Sequence, residues 1–447
     1  MESASRRGLM GEGVRPFENH SLDRSLFSFT ECRLQHGADR KIPHLICGKL
    51  AKFRSMIAVF MNFVYTVFMD YARKLEIGRE GKSVFLFGPR LTGKTYLLRK
   101  NFPNARYYDL LRSDTFLRLS LRSSILREEL ETQAAGNTVI IDEIQKLPML
   151  LDEVHSLIED RHLRFILTGS SARKLRRGGV NLLGGRARVL HLHPLVSAEI
   201  GEYDLERVLT FGTLPAIYDS DDPWDDLKAY CGAYLQEEIA AEGAARKLDA
   251  FARFLRSAAI FSGEQVNYET WGSDAAVPSR TVREYFYILS DTLFGEMLEP
   301  WRGGKKRKPA SAGKFYFFDV GVRNALAGIR EVAPSTEEYG KALEHFIYGE
   351  LRAWLDYTRD DRPLSFWRTQ DNKEVDFVIG DEIAVEVKAT EMPDRRHLKG
   401  LVAIRDEHTF KHRILVCQVP APRLSEGIEI LPVKEFLSRL WQNAYAG

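Results

Sequence analysis

The chain has 447 residues, which at roughly 100–200 residues per domain predicts two to four domains with ample core. Hydrophobic residues make up 44% and charged residues 28%, which excludes a disordered or fibrous chain. Lys+Arg number 64 against Asp+Glu 62, and the resulting net charge of +2 excludes a polybasic coat over the whole molecule, so any nucleic-acid surface is local.

The four cysteines, Cys32, Cys47, Cys231 and Cys417, form no CxxC pair. Neither a zinc ribbon nor a disulfide scaffold is expected, and this usage fits a reducing cytoplasm. Residues 1–55 show little periodicity. The longest apolar run, Met56 to Met69, has 14 residues and contains Asn62 and Thr66. A membrane span needs about 20, so no membrane partner is expected, and the run reads as a buried or partner-facing helix or as a strand. Met61 and Met69 both suit an initiator. The expectation is that residues 1–68 are an unassigned extension, dispensable or not natively translated. Terminal mass spectrometry of the endogenous protein checks this, and a peptide from residues 16–40 would refute it.

Residues 83–87, SVFLF, predict a buried strand, and GPRLTGKT follows at once, then a helix beginning YLLRKNF. The octet is Gly88, Pro89, Arg90, Leu91, Thr92, Gly93, Lys94 and Thr95, a full G-x-x-x-x-G-K-[ST] loop in the strand–loop–helix setting it requires. Its glycines let several backbone N–H groups surround a phosphate, and the helix N-terminus adds its positive end. Lys94 suits the β- and γ-phosphates of ATP, and the Thr95 hydroxyl suits Mg²⁺.

Residues 138–143, TVIIDE, predict a second buried strand that delivers Asp142 and Glu143 at its C-terminal edge. Asp142 suits the metal, and Glu143 suits the base that polarises the attacking water. A third strand, RFILTGSS over 164–171, ends in Ser170 and Ser171, placed to hydrogen-bond that water or the γ-phosphate; an ordinary strand exit reads the same way. The stretch after it carries Arg173, Lys174, Arg176, Arg177, Arg186 and Arg188, any one of which suits an arginine finger.

GPRLTGKT, VIIDEIQKLP, LTGSSARKL, LLGGRA and HPLVSAEI together resemble a prokaryotic AAA-type ATPase family whose core precedes a C-terminal domain of unknown function numbered 4143. The likeness covers about residues 70–440, although FGTLPAIY, Phe211 to Tyr218, matches the family's glycine-leucine-proline segment only loosely. It implies an ATP-binding core of the AAA+ or STAND-like sort, with nucleotide roles on Lys94 and Thr95 and catalytic roles on Asp142 and Glu143. Ser170 corresponds to the sensor strand of AAA-type ATPases, and Arg186 carries over from GGRA. Such cores often complete their site from a neighbouring subunit, which implies a homo-oligomer.

DSDDPWDD, Asp219 to Asp226, reads as a solvated loop near a domain hinge, and a helical connector follows from Trp224 to about Ala245. Residues 248–262 have helical apolar spacing, and VPSRTVREYFYILSDT reads as the second helix of a helix-turn-helix with Ser279 as N-cap. LFGEMLEPW and KFYFFDVGV read as strands flanking a basic tip with Arg302, Lys305, Lys306, Arg307 and Lys308. With Arg280 and Arg283 on exposed turns, this resembles a winged helix whose wing contacts DNA phosphates; a small packing domain with a solvated loop fits equally.

From Tyr339 the chain predicts an amphipathic helix, a strand SFWR, and two strands in EVDFVIGDEIAVEVKA joined by a Gly-Asp turn. Period two puts Glu386 and Lys388 on one strand face, and Asp376, expected at the end of its paired strand, can meet them. This D…E-x-K set is the metal-dependent arrangement of the restriction-endonuclease-like fold, with Asp376 and Glu386 on Mg²⁺, Lys388 on the water or the phosphorane, Glu344 completing the carboxylates and Glu374 a spare acid. The same E-x-K also suits a plain cross-strand ion pair.

The expected class is therefore α/β in three parts. A P-loop AAA-type domain spans 69–222, a helical or winged-helix-like domain spans 223–325, and a nuclease-like PD-(D/E)XK-type domain spans 326–447. The expected function is ATP hydrolysis coupled to conformational change, acting on or with nucleic acid. The alternative is a slow nucleotide-gated switch or binding module with an inactive nuclease-like domain.

Overall fold

The computed structural model describes residues 70–78, 81–170, 183–234, 248–304 and 312–447. The N-terminal extension with its apolar run, Ser171, Arg173 to Arg177, the end of the helical connector and the tip residues Lys305, Lys306, Arg307 and Lys308 lie outside them. No helix among the described residues is long and apolar enough to cross a membrane.

The first layer is a five-stranded sheet of β1 (Ser83–Phe87), β2 (Arg106–Asp109), β3 (Thr138–Asp142), β4 (Arg164–Gly169) and β5 (Ala187–His191), in the order β2-β3-β4-β1-β5. Every pairing is parallel. All five side chains of β1 are buried, as a strand covered on both faces requires, which is why its sequence is continuously apolar. Parallel strands send their C-terminal ends to one edge. Gly88, Asp142 and Gly169 emerge there, and the helix α1 (Lys94–Asn101) starts from it. Helix α2 (Leu150–Arg161) packs beside β4, and the short helix α3 (Ser197–Ile200) follows β5.

The middle of the chain holds α4 (Pro223–Tyr234), α5 (Leu248–Ile260), α6 (Tyr268–Ala275) and α7 (Ser279–Asp291), then an antiparallel hairpin of β6 (Gly295–Leu298) and β7 (Lys314–Phe317). These four helices and the hairpin share one aromatic core. Phe254 and Phe286 meet edge to face at 5.0 Å inside that core. Two local expectations change. Pro278, not Ser279, is the N-cap of α7, and Ser279 is its first helical residue. The strand read through DVGV stops at Phe317, and α8 (Val320–Ala327) begins instead. The reason is Asp319, whose carboxylate accepts from the N–H of Val322 at 3.0 Å and of Thr213 at 2.8 Å, a cap that ends the strand.

The last layer is a six-stranded sheet of β8 (Leu364–Arg368), β9 (Glu374–Ile379), β10 (Ile383–Val387), β11 (His412–Cys417), β12 (Arg423–Ser425) and β13 (Ile428–Pro432), in the order β12-β13-β11-β10-β9-β8. Helix α9 (Glu337–Thr358) buries Leu343, Phe346, Ile347, Leu351 and Leu355 in one core with Phe377, Val385 and Val416 of this sheet, and α10 (Val433–Trp441) closes it. Asp376 sits inside β9, not at its end, because the strand continues through Phe377 to Ile379 against β10. The chain leaving β6 docks on β8: the Trp301 N–H donates to the Phe366 carbonyl at 2.7 Å and the Phe366 N–H to the Glu299 carbonyl at 3.2 Å.

Candidate functional site

Gly93 adopts φ 89°, a left-handed turn open to glycine, and directs the loop into α1. At Gly88 a side chain would meet the Leu192 carbonyl at 2.5 Å, so the loop can leave β1 only as glycine. The Lys94 ammonium is buried and donates to the carbonyls of Gly88 and Pro89, at 2.7 and 2.9 Å. The buried Thr92 hydroxyl closes the turn onto Pro89 at 2.9 Å. On the outer side, Pro89 and Arg90 line a small cavity with Ser170, Tyr230, Tyr234, Thr292 and Phe294, and Leu91 packs on the middle core.

Across the loop stands Asp142, 2% exposed. The Thr95 hydroxyl donates to its Oδ2 at 2.8 Å, and the hydroxyls of Tyr107 and Thr168 donate to the same carboxylate. Burial first, and then the Asp142 charge, push the Tyr107 phenol well above its usual range, so it stays a donor. Asp142 is thus held by neutral hydroxyls. A hydroxyl and a carboxylate side by side are the hard oxygen donors that suit Mg²⁺ beside a nucleotide.

Glu143 follows in a left-handed turn, φ 62°, its N–H donating to the Thr168 hydroxyl at 3.0 Å. Its carboxylate is tethered by Gln145, whose amide nitrogen reaches Glu143 Oε2 at 2.5 Å and Ser170 Oγ at 3.2 Å. The structure therefore joins Glu143 and Ser170 through Gln145, a residue the sequence reading left without a role. Gln145 Oε1 is buried and makes no hydrogen bond of its own.

Arg73 was also missed. It is buried before β1, forms an ion pair with Glu199 at 2.9 Å, and donates to the Thr92 carbonyl inside the loop at 2.7 Å. Its other nitrogen reaches the His193 carbonyl at 2.6 Å and the Tyr357 hydroxyl of α9 at 3.2 Å. One guanidinium thus touches the phosphate loop, the exit of β5 and the C-terminal helix. Next to it, His193 Nε2 lies 2.6 Å from Asp356 of α9. No local pattern marks Arg73, because every partner is distant in sequence.

Arg186 goes elsewhere. It precedes Ala187, which pairs with Ser83 at the start of β1, whereas the loop leaves from Phe87 at the other end. It is ion-paired with Glu159 of α2. Within one chain it therefore sits about a strand length, ~16 Å, from the phosphate loop. Arg280 is exposed and lies 3.5 Å from Glu284; Arg283 is exposed over the Tyr268 ring at 4.6 Å; Arg302 is exposed beyond β6.

In the last layer Glu344, Glu374, Asp376, Glu386 and Lys388 do come together, with a cation the sequence did not announce. Lys314, 3% exposed at the start of β7, enters the cluster and contacts Glu374 at 2.5 Å and Glu344 at 3.3 Å. The Tyr316 hydroxyl donates to Glu344 at 2.5 Å. Lys388 bridges Glu386 at 2.6 Å and Asp376 at 3.4 Å, and Arg368 lies 3.2 Å from Glu374. Burial alone would lower the Lys314 ammonium, but Glu344, Glu374 and Asp376 outweigh it and hold it above its usual range. Burial, then Asp376 beside it, push Glu386 up to about 8. Four carboxylates thus meet three resident cations. The residues do not fit the divalent metal that a nuclease-like reading implies, and among the described residues no group of three or more His, Cys, Asp or Glu is arranged to hold one.

Parts of the chain are similar to known proteins. The AAA domain family matches residues 80–201, and two domains of unknown function, DUF8612 and DUF4143, match 202–333 and 339–436. Uncharacterised proteins of Mycobacterium tuberculosis and Mycobacterium bovis are each 26% identical over 373 residues, covering 76% of this chain and 80% of theirs. Among solved structures, a variant of Thermotoga maritima RuvB covers 48% of this chain and 81% of its own at 16% identity and a TM-score of 0.25. The Aeropyrum pernix ORC1 protein in complex with DNA covers 64% and 93% at 16% identity and a TM-score of 0.20. The chain accordingly joins an AAA-type P-loop ATPase domain to a C-terminal DUF4143 domain.

Proposed function

We propose that the chain binds and hydrolyses ATP at the edge formed by Gly88–Thr95, Asp142 and Glu143, and passes the state of that site to its C-terminal domain, with nucleic acid as partner. The observation that supports this reading most is the hydrogen bond from the Thr95 hydroxyl to Asp142, next to a buried Lys94 in the loop and a tethered Glu143. Phosphate oxygens would take the Lys94 ammonium from the carbonyls of Gly88 and Pro89, and the backbone N–H groups of the loop would surround them. Thr95 and Asp142 would hold Mg²⁺, which when bound neutralises phosphate charge. Glu143, released by Gln145, would accept a proton from the attacking water, with Ser170 beside it.

Arg73 supports the coupling. A shift of the loop at Thr92 moves a guanidinium that also holds Tyr357 on α9. The exposed Arg280, Arg283 and Arg302 support phosphate contact by the helix–hairpin unit. Arg186, placed at the far edge, would serve as a finger only across a contact with a second copy, which light scattering with and without ATP tests. The deciding measurement is the ATPase rate with and without DNA, at low and high salt. A rate unmoved by DNA, together with no salt-dependent DNA binding, would remove nucleic acid from the reading.

A second reading keeps the ATP site but makes the protein a slow nucleotide-gated switch with an inactive nuclease-like domain. The entry of Lys314 into the carboxylate cluster favours it. Turnover separates the two: a switch holds nucleotide and releases product slowly. Plasmid cutting in Mg²⁺ or Mn²⁺, lost in Lys388→Ala, would overturn the inactive reading.

A further inference from the structure

Lys314 belongs to the hairpin of the middle unit, yet its ammonium lies inside the carboxylate cluster of the C-terminal layer. The backbone puts it there. Lys314 pairs with Leu298 at the loop end of the β6–β7 ladder, and the chain that continues from Leu298 is stitched to β8 through Glu299, Trp301 and Phe366. The Trp301 indole adds a bond to Asp381 at 2.9 Å. Lys314 thus faces the cluster from a docked element, with Glu344 of α9 and Glu374 of β9 on either side. A lysine 3% exposed is far from water, and the two carboxylates are what make that burial tolerable.

The cluster has one open position at Glu386. Glu386 is 6% exposed, its Oε1 pairs with Lys388, and its Oε2 is buried with no hydrogen-bond partner. Every carboxylate of the cluster, Glu386 included, has a cation within ion-pair distance.

We infer that Lys314 stands where a divalent cation would otherwise sit, so the C-terminal carboxylates of this chain take no metal while the β6–β7 hairpin is docked. A monovalent ammonium carried by the protein itself is shared by Glu344 and Glu374 and, through the same contacts, clamps the middle unit to the C-terminal layer. Withdrawal of that ammonium leaves Glu344 and Glu374 without their shared buried cation, and carboxylate oxygens are the hard donors that Mn²⁺ or Mg²⁺ takes.

The test uses the full chain without nucleotide, so its outcome is independent of whether ATP is hydrolysed. Mn²⁺ titration followed by electron paramagnetic resonance counts bound ions in wild type and Asp376→Asn. Equal stoichiometry is expected, and a site in wild type that Asp376→Asn removes would overturn the inference. The second arm is Lys314→Met, which keeps the stem and deletes the charge. Its melting midpoint is expected to fall, and Mn²⁺ at about 100 times its dissociation constant should return roughly 5–10 °C of it. Wild type should show no such rise. A Lys314→Met protein that melts identically with and without Mn²⁺ would overturn the stand-in role. If that variant does not fold, the comparison of wild type with Asp376→Asn decides alone.

Discussion

Two carboxylate sites in this molecule are built from opposite materials. At the edge of the first sheet, Asp142 and Glu143 are held by the hydroxyls of Thr95, Tyr107 and Thr168 and by the Gln145 amide. In the last sheet, Glu344, Glu374, Asp376 and Glu386 are held by Lys314, Lys388 and Arg368. Neutral donors orient a carboxylate without bringing an opposite charge to it, which is what the proposed metal and base roles of the first site need. Ammonium and guanidinium groups orient and cancel together, so the second site has spent its charge on binding the molecule to itself. Counting acids would rank the second site higher as a metal centre; asking what holds each acid reverses the order.

The comparison breaks most visibly at the first site. Glu143→Gln keeps the shape and the Gln145 contact but removes the proton acceptor. We expect ATP affinity to hold and turnover to fall by ~10²–10⁴-fold, measured by phosphate release beside a nucleotide-binding titration. Full turnover in that variant would take the base role from Glu143. Lys94→Ala should instead lose binding, with turnover down by at least about 10²–10³-fold. The split between the two variants, one losing chemistry and the other losing the ligand, is the readout. Unchanged nucleotide affinity in Lys94→Ala would contradict the phosphate-loop assignment.

The two sites also differ in how far the sequence disclosed them. The first is assembled from short, contiguous strings, each placed at a strand end by one apolar run. Ser83–Phe87, Thr138–Asp142 and Arg164–Gly169 are read directly, because a buried parallel strand has a pattern of its own. What escaped was whatever acts across long separations. Arg73 finds Thr92 and Tyr357, and Lys314 finds Glu374, only when separate layers meet. Asp376, Glu386 and Lys388 were legible as a cluster through period two, but the cation among them starts a strand in another unit. Gln145 was on the page within VIIDEIQKLP and had no local reason to be chosen. The stop of β7 at Asp319 was hidden for the same reason, since a cap beats the β-propensity of Val320 and Val322 only once Thr213 is beside it.

A smaller effect sharpens what a neutral tether does. Gln145→Ala frees the Glu143 carboxylate and leaves Asp142 untouched. If the tether holds Glu143 back until nucleotide arrives, basal turnover should rise by ~2–10-fold, the worth of one hydrogen bond. A fall of the same size would mean that Gln145 aims Glu143 at the water. Steady-state rates at saturating ATP distinguish the two signs.

The smallest effect comes from a third carboxylate held by neutral donors alone. Glu350 of α9 accepts from the Ser197 N–H at 2.6 Å, the Ser197 hydroxyl at 2.9 Å and the Trp441 indole at 2.6 Å, and is 2% exposed. Burial pushes it up to about 7 from an ordinary 4.5, against the pull of those donors. The folded chain therefore holds a proton there that the unfolded chain has already released, over the window between those two values. Stability from this group falls as pH rises through the window, and its cost is complete above about 7. The slope is at most ~1.4 kcal/mol per pH unit. Glu350→Gln removes the titration and should flatten the dependence by about 1 kcal/mol per pH unit, read from urea unfolding at three pH values across the window. His345, held down to about 3 from an ordinary 6.5 by burial, bends the curve the other way between those two values and so overlaps this window, but it is common to both proteins and cancels in the difference. An unchanged slope would mean that Ser197 and Trp441 keep Glu350 charged in the fold.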